Sequence, residues 1–172
     1  MRTTRDLAVA AVIAGAYAGL TLALTPLSFG PVQVRVAEAM CVLPLLFPQA
    51  VAGLTAGCFL ANLIGLALGG TVPPDLVVGT LATLFAALLT LRCRRDWLAP
   101  AFSVVLNGVL VGGMITLCTL TREAWLTGFA LNALTVAGGE VIAAYGLGIP
   151  LLTVFRRNPR LKEIVSKYAK GA

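Results

Sequence analysis

The sequence predicts an all-α polytopic membrane protein, a bundle of six transmembrane helices with both termini cytoplasmic, and three observations predict it. Of the 172 residues, 59% are hydrophobic and only 12% are charged, too little polar surface to cover a soluble core of this size. The apolar residues gather in runs close to the 20 or so that a helix needs to cross hydrocarbon, bounded by charge, Pro or Gly. The basic residues lie almost wholly on one side of those runs, eleven Lys and Arg against only Arg35 and Arg122. The net charge of +6 is thus a topology signal rather than a nucleic-acid surface.

The first run, Leu7 to Thr25, is too long for a signal peptide and passes into "PLSFGP", so it reads as a retained span. The loop "PLSFGPVQVR" follows, punctuated by Pro26, Gly30 and Pro31. The second run, Val36 to Phe47, has 12 residues. As an α-helix it rises only about 18 Å and cannot cross about 30 Å unaided, so the loop before it dips inward or the helix is re-entrant. Pro44 and Pro48 separate it from the third span, Gln49 to Leu68. The turn "GGTVPPD" leads to the fourth, Leu76 to Leu91, which ends at "RCRRD". The fifth spans Trp97 to Leu120 and the sixth Trp125 to Phe155, with Trp97 and Trp125 as interface anchors. Residues 1–155 form the transmembrane domain, and 156–172 a basic cytoplasmic tail that suits a headgroup-facing helix.

Cys41, Cys58, Cys93 and Cys118 make no CxxC pair and histidine is absent, so neither a metal site nor a cofactor is expected. The absence of histidine and of clustered acids also argues against an intramembrane enzyme. On the first span, Ala10, Ala14 and Ala18 form one small-residue ridge, and Ala11, Gly15, Gly19 and Ala23 a second. Such ridges let backbones approach closely in lipid. Two of them exceed the needs of one neighbouring helix, which suggests a docking surface for another membrane protein. Gly53/Gly57, Gly65/Gly69 and Gly108/Gly112 read as packing pairs within the bundle.

Ionisable and amide side chains inside the spans each cost a few kcal/mol if unpaired, so the few present are informative. Gln33, Arg35 and Glu38 cluster in "PVQVRVAEAM", Glu140 lies mid-depth in the sixth span, and Asn62, Asn107 and Asn132 occupy the third, fifth and sixth. Asn132 and Glu140 share a face through Val136. Plainer readings stand beside these: an Arg35–Glu38 ion pair that only orders the loop, interhelical hydrogen bonds from Asn62 and Asn107, and Asp75 as a helix cap. Tyr17, Phe59, Phe129 and Tyr145 offer either a stacking surface for a flat ligand or ordinary packing.

"PLSFGPVQVRVAEAM", then "LPLLFPQAVAGLTAGCFLANLIG" and "DLVVGTLATLFAALLT", resemble the queuosine-precursor transporter (QueT) family, substrate-binding S components of energy-coupling-factor (ECF) uptake systems. The likeness covers Leu7 to about Arg92, and beyond Pro100 rests on architecture and on positions such as Asn107 and Glu140. It implies a six-helix substrate-binding bundle in the plasma membrane, an outward-facing pocket under the first external loop, and docking through Ala10, Ala14, Ala18, Gly15 and Gly19 onto a transmembrane coupling protein that carries two ATPase subunits. The chain has no GxxxxGK[ST] loop of its own, in keeping with energy supplied by partners. The implied ligand is a 7-deazaguanine base. Glu38 or Glu140 would accept its adjacent N–H donors, while Gln33, Arg35, Asn62 or Asn107 would meet the ring carbonyl. Tyr17 or Phe29 would stack on its face, and a cationic aminomethyl arm would favour a second carboxylate. The alternatives are an S component for another vitamin, a stand-alone carrier with Glu140 as proton site, and a purely structural scaffold.

Overall fold

A computed structural model describes residues 4–30, 33–119 and 124–169, and among these it is helical without strands. Five helices are long and apolar enough to cross a membrane: Thr4–Ala23 (α1), Ala50–Ala67 (α3), Pro73–Arg92 (α4), Asp96–Thr119 and Trp125–Arg157. A single turn, Thr25–Ser28 (α2), follows α1 and has Pro26 in its first turn, where a missing N–H costs nothing.

The last two rods are not uniform. Asp96–Thr119 contains Ala99–Leu106 (α5), a π-helical stretch Asn107–Val111 and Gly112–Thr119 (α6). Trp125–Arg157 contains Trp125–Glu140 (α7), a π-helical stretch Val141–Gly148 and Ile149–Arg157 (α8). An amphipathic helix, Pro159–Ala169 (α9), ends the described chain.

The expected second span takes a different form. Val36–Leu45 is a ten-residue 3₁₀ helix containing Pro44, and Ala37 to Pro44 are all buried. A 3₁₀ helix rises about 2 Å per residue, so ten residues cover about 20 Å where an α-helix would cover about 15 Å. The non-helical lead-in Gln33–Arg35, extended at Arg35, adds reach. Stretched winding therefore brings the chain back along the bundle with fewer residues than a regular span. Pro44 suits it, because the ring removes a donor and disfavours α-helical continuation.

Glycine contacts show the direction of that return. A Cβ on Gly53 would lie 2.8 Å from the Ala10 carbonyl oxygen, and one on Gly57 2.8 Å from that of Ala14. Residues ascending α1 thus meet residues ascending α3, and the two helices are parallel. At their shared start, Gln49 Nε2 donates to Asp6 Oδ1 at 2.7 Å and to the Tyr168 carbonyl oxygen at 3.2 Å. The start of α1, the start of α3 and the end of α9 therefore meet at one end of the bundle. An exposed ion pair between Arg156 and Asp96 joins the α4–α5 connection to the end of α8 there.

The first small-residue ridge is spent inside the chain. Ala10, Ala14 and Ala18 are buried, with α3 seated on this side of α1 through Gly53 and Gly57, so these three alanines are not available to a partner protein. Gly15 and Gly19 lie on the exposed side, where an added Cβ would meet nothing within 4 Å. Beside that face an apolar furrow of about 800 Å³ runs between α1, the 3₁₀ helix and α8, lined by Ile13, Leu20, Met40, Leu43 and Leu151 among others. Leu161, Ile164 and Tyr168 of α9 line it as well, which accounts for the helix's amphipathic pattern. Arg2, Arg122 and Lys170, counted in the charge bias, lie outside the described residues.

Candidate functional site

The 3₁₀ helix packs against α1, α4, α5 and the Val141–Gly148 stretch, so polar side chains from those elements can meet around it. Glu38, 2% exposed, is the meeting point. The Tyr17 hydroxyl of α1 donates to Glu38 Oε1. Ser103 Oγ of α5 lies 2.6 Å from Glu38 Oε2 and 3.0 Å from Glu140 Oε2, and Asn107 Nδ2 donates to Ser103 Oγ at 3.2 Å. Two carboxyl groups far apart in sequence thus share one hydroxyl, with a phenol and a carboxamide completing the ring.

A second cluster adjoins the first through the 3₁₀ helix. Arg35 NH2 bonds Asp75 Oδ2 at 2.6 Å, with both side chains almost wholly buried. Thr71 Oγ1 donates to the same carboxylate oxygen at 2.9 Å, and Asn62 Nδ2 donates to the Asp75 carbonyl oxygen at 2.9 Å. The Arg35 guanidinium also lies over the Phe29 ring, 5.3 Å from its centroid.

The glycines explain how the backbone comes so close. A Cβ on Gly139 would lie 2.0 Å from the Gln33 carbonyl oxygen, and one on Gly148 2.9 Å from that of Ala39. The extended chain and the 3₁₀ helix therefore lie directly on the last span, which sets Glu140 beside Glu38. Asn107 opens one π-helical stretch and Glu140 immediately precedes the other. Such bulges re-aim side chains and recur at functional sites.

Of the residues the sequence singled out, Tyr17, Glu38, Asn107 and Glu140 converge in one ring, and Arg35 and Asn62 in the adjoining cluster. Gln33 contributes its backbone against Gly139. Contacts in the structure bear on the readings that the sequence left side by side. The Arg35 partner is Asp75, not Glu38, and Asp75 is a buried ion-pair member rather than a cap. Tyr17 engages the cluster through its hydroxyl, while the aromatic face near a polar group is that of Phe29. Asn132 bonds outside the ring, its Nδ2 donating to Thr116 Oγ1 at 3.0 Å. Trp125 stacks on Phe129 at 5.6 Å, which assigns that ring to local packing. Ser103, which joins the two glutamates, was missed. Its signal was the i, i+4 spacing to Asn107, faint because serine is ordinary in membrane helices.

Several polar atoms of these clusters are buried without a hydrogen-bond partner among the described residues: Asn62 Oδ1, Asp75 Oδ1, Asn107 Oδ1 and Arg35 Nε. Unmet capacity in a buried site is expensive unless something else supplies the bond. The described residues contain no group of three or more His, Cys, Asp and Glu arranged to hold a metal ion.

Comparison with known proteins gives one result. No curated protein sequence and no solved structure matches the chain significantly. A family model described as the QueT transporter matches residues 7–157, which takes in the long helices from Leu7 onward and every residue of both polar clusters. On that match, a membrane transporter family fits both the apolar helices and the polar interior, and the chain belongs to the QueT transporter family.

Proposed function

We propose that this chain is the substrate-specificity component of an ECF-type ATP-dependent importer, and that it binds a queuosine precursor, a 7-deazaguanine base, for uptake across the plasma membrane. The observation that carries the reading is the gathering of Tyr17, Glu38, Ser103, Asn107 and Glu140 from α1, the 3₁₀ helix and the last two long helices at buried positions, beside unsatisfied atoms on Asn62, Asp75 and Arg35. A flat base rich in adjacent donors and acceptors meets such a set. A carboxylate takes paired N–H groups, the amides and guanidinium take the ring carbonyl, and Phe29 offers an aromatic face. Gln33 covers the ligand from the loop side in this account.

The end of the bundle where α1 begins and α9 finishes is cytoplasmic in this reading, because the Arg- and Lys-rich segments at 92–95 and 156–167 gather there. The 3₁₀ helix with its extended lead-in then serves as the sixth crossing. Residues 1–155 bind the ligand, and α9 lies along the inner leaflet. Gly15 and Gly19, with the apolar furrow beside them, dock the transmembrane coupling protein that carries the two ATPase subunits.

Reconstitution tests the assignment. Vesicles holding this chain together with a coupling protein and two ATPases are expected to accumulate labelled 7-deazaguanine base only when ATP is supplied. Accumulation by the chain alone, driven by a proton gradient, would replace this reading with that of a self-sufficient carrier. Uptake of an unrelated vitamin in preference to the base would move the substrate.

A further inference from the structure

The hydrogen bonds around Ser103 can be counted. A serine hydroxyl has one hydrogen to give and two lone pairs to accept with. Its three neighbours are Glu38 Oε2 at 2.6 Å, Glu140 Oε2 at 3.0 Å and Asn107 Nδ2 at 3.2 Å. The carboxamide nitrogen can only donate, so it takes one lone pair. The single hydroxyl hydrogen serves one carboxylate. The other carboxyl attracts the serine oxygen only by donating a hydrogen of its own. Glu38 already accepts from the Tyr17 hydroxyl and has the shorter contact to Ser103, as a charged acceptor does. Glu140, the more distant partner, is left as the donor.

We propose that Glu38 and Glu140 divide the work of the site: Glu38 is the charged acceptor, whereas Glu140 holds a proton and donates it to Ser103, so that the cluster selects a singly cationic ligand without exchanging a proton. This rests on the functional reading above and specifies its ligand as a base bearing one ammonium group.

Charge balance carries the second half. The two clusters bury one guanidinium, Arg35, against the carboxyls of Glu38, Asp75 and Glu140. With Arg35 and Asp75 paired and Glu140 neutral, one negative charge on Glu38 remains uncompensated. A buried unpaired charge is costly, and an incoming ammonium relieves that cost while the proton stays in place. Releasing the proton as the cation enters would restore the deficit. The other titratable groups facing the pair leave the count unchanged: Tyr17 from α1, Cys58 from α3, and Cys41 beside both glutamates on the 3₁₀ helix. Asp75 of α4 is engaged by Arg35, and α5 contributes the serine.

The full chain in lipid nanodiscs gives three readouts. By infrared difference spectroscopy at neutral pH, wild type is expected to show a buried carboxylic-acid carbonyl band that Glu140→Gln removes and Glu38→Gln keeps. A band missing from wild type, or one that follows Glu38, overturns the assignment. By calorimetry, 7-aminomethyl-7-deazaguanine is expected to bind about tenfold or more tighter than its neutral 7-cyano counterpart, with a heat independent of the buffer's ionisation enthalpy. A buffer-dependent heat equivalent to one proton released, or equal affinity for the two bases, overturns the proposal. Glu140→Ala is expected to weaken binding about tenfold and Glu140→Gln to restore most of it, while Glu38→Ala and Glu38→Gln both lose about 100-fold or more. Rescue at Glu38 but not at Glu140 reverses the roles and overturns it too. Should neither base bind wild type, the functional reading and its ammonium ligand fall together, and the infrared band alone still decides where the proton sits.

Discussion

At the scale of single residues, the account depends on how expensive polar groups are away from water. Arg35 and Asp75 form a buried, hydrogen-bonded ion pair, so Asp75→Ala leaves a guanidinium without its partner. The expected cost is about 3–5 kcal/mol, read as a lowered unfolding temperature in detergent, with a much smaller drop for a change at the exposed Asp96. Gly139→Ala is the other sharp case, because the new Cβ would lie 2.0 Å from the Gln33 carbonyl oxygen and backbone cannot yield as a side-chain tip can. Ligand affinity should fall with stability in that variant, since the Gln33–Glu38 stretch must move off the last span. An unchanged affinity would mean that this contact does not shape the site. Much of the cluster was legible in the sequence, because hydrocarbon makes Arg35, Glu38, Asn107 and Glu140 conspicuous. Ser103 and Asp75 were not. A serine is unremarkable in a membrane helix, and an acid just after Val72-Pro73-Pro74 looks like any acid favoured by a helix start.

At the scale of elements, the two ridges of α1 have opposite fates. Gly57→Ala, on the α3 side, drives a Cβ to 2.8 Å from the Ala14 carbonyl oxygen and should destabilise the bundle by about 1–3 kcal/mol in a thermal melt. Gly15→Leu, on the exposed side, should change stability by less than about 0.5 kcal/mol. Its expected effect is reduced co-purification with the coupling protein; full retention of that complex would place the docking surface elsewhere. The long spans were readable because charge, Pro and Gly mark their ends. The segment from Val36 to Leu45 was readable only as too short. Its 3₁₀ winding accords with Pro44 and with its packing against α1, α4, α5 and the Val141–Gly148 stretch, and tertiary packing is invisible to periodicity. The π-helical stretches at Asn107 and after Glu140 had no sequence signal beyond their neighbouring glycines.

At the scale of the whole molecule, the hydrogen bonds from Gln49 to Asp6 and to the Tyr168 carbonyl oxygen bring the start of α1 and the end of α9 to one end of the bundle, which the proposed topology, resting on the basic segments, makes the inner one. A cysteine scan checks this. On a background with Cys93 and Cys118 replaced by Ser, Val72→Cys in the opposite turn should react with a membrane-impermeant maleimide in intact cells. Asn158→Cys should react only after permeabilisation, and the reverse pattern would invert the topology. The central claim is that the polar ring around Glu38 is where the transported solute sits. Equilibrium dialysis of labelled 7-deazaguanine base against the purified chain tests it most directly, with guanine and an unrelated vitamin as competitors. The account predicts saturable one-to-one binding that Glu38→Gln abolishes and Gly15→Leu preserves, whereas equal binding by wild type and Glu38→Gln would contradict it.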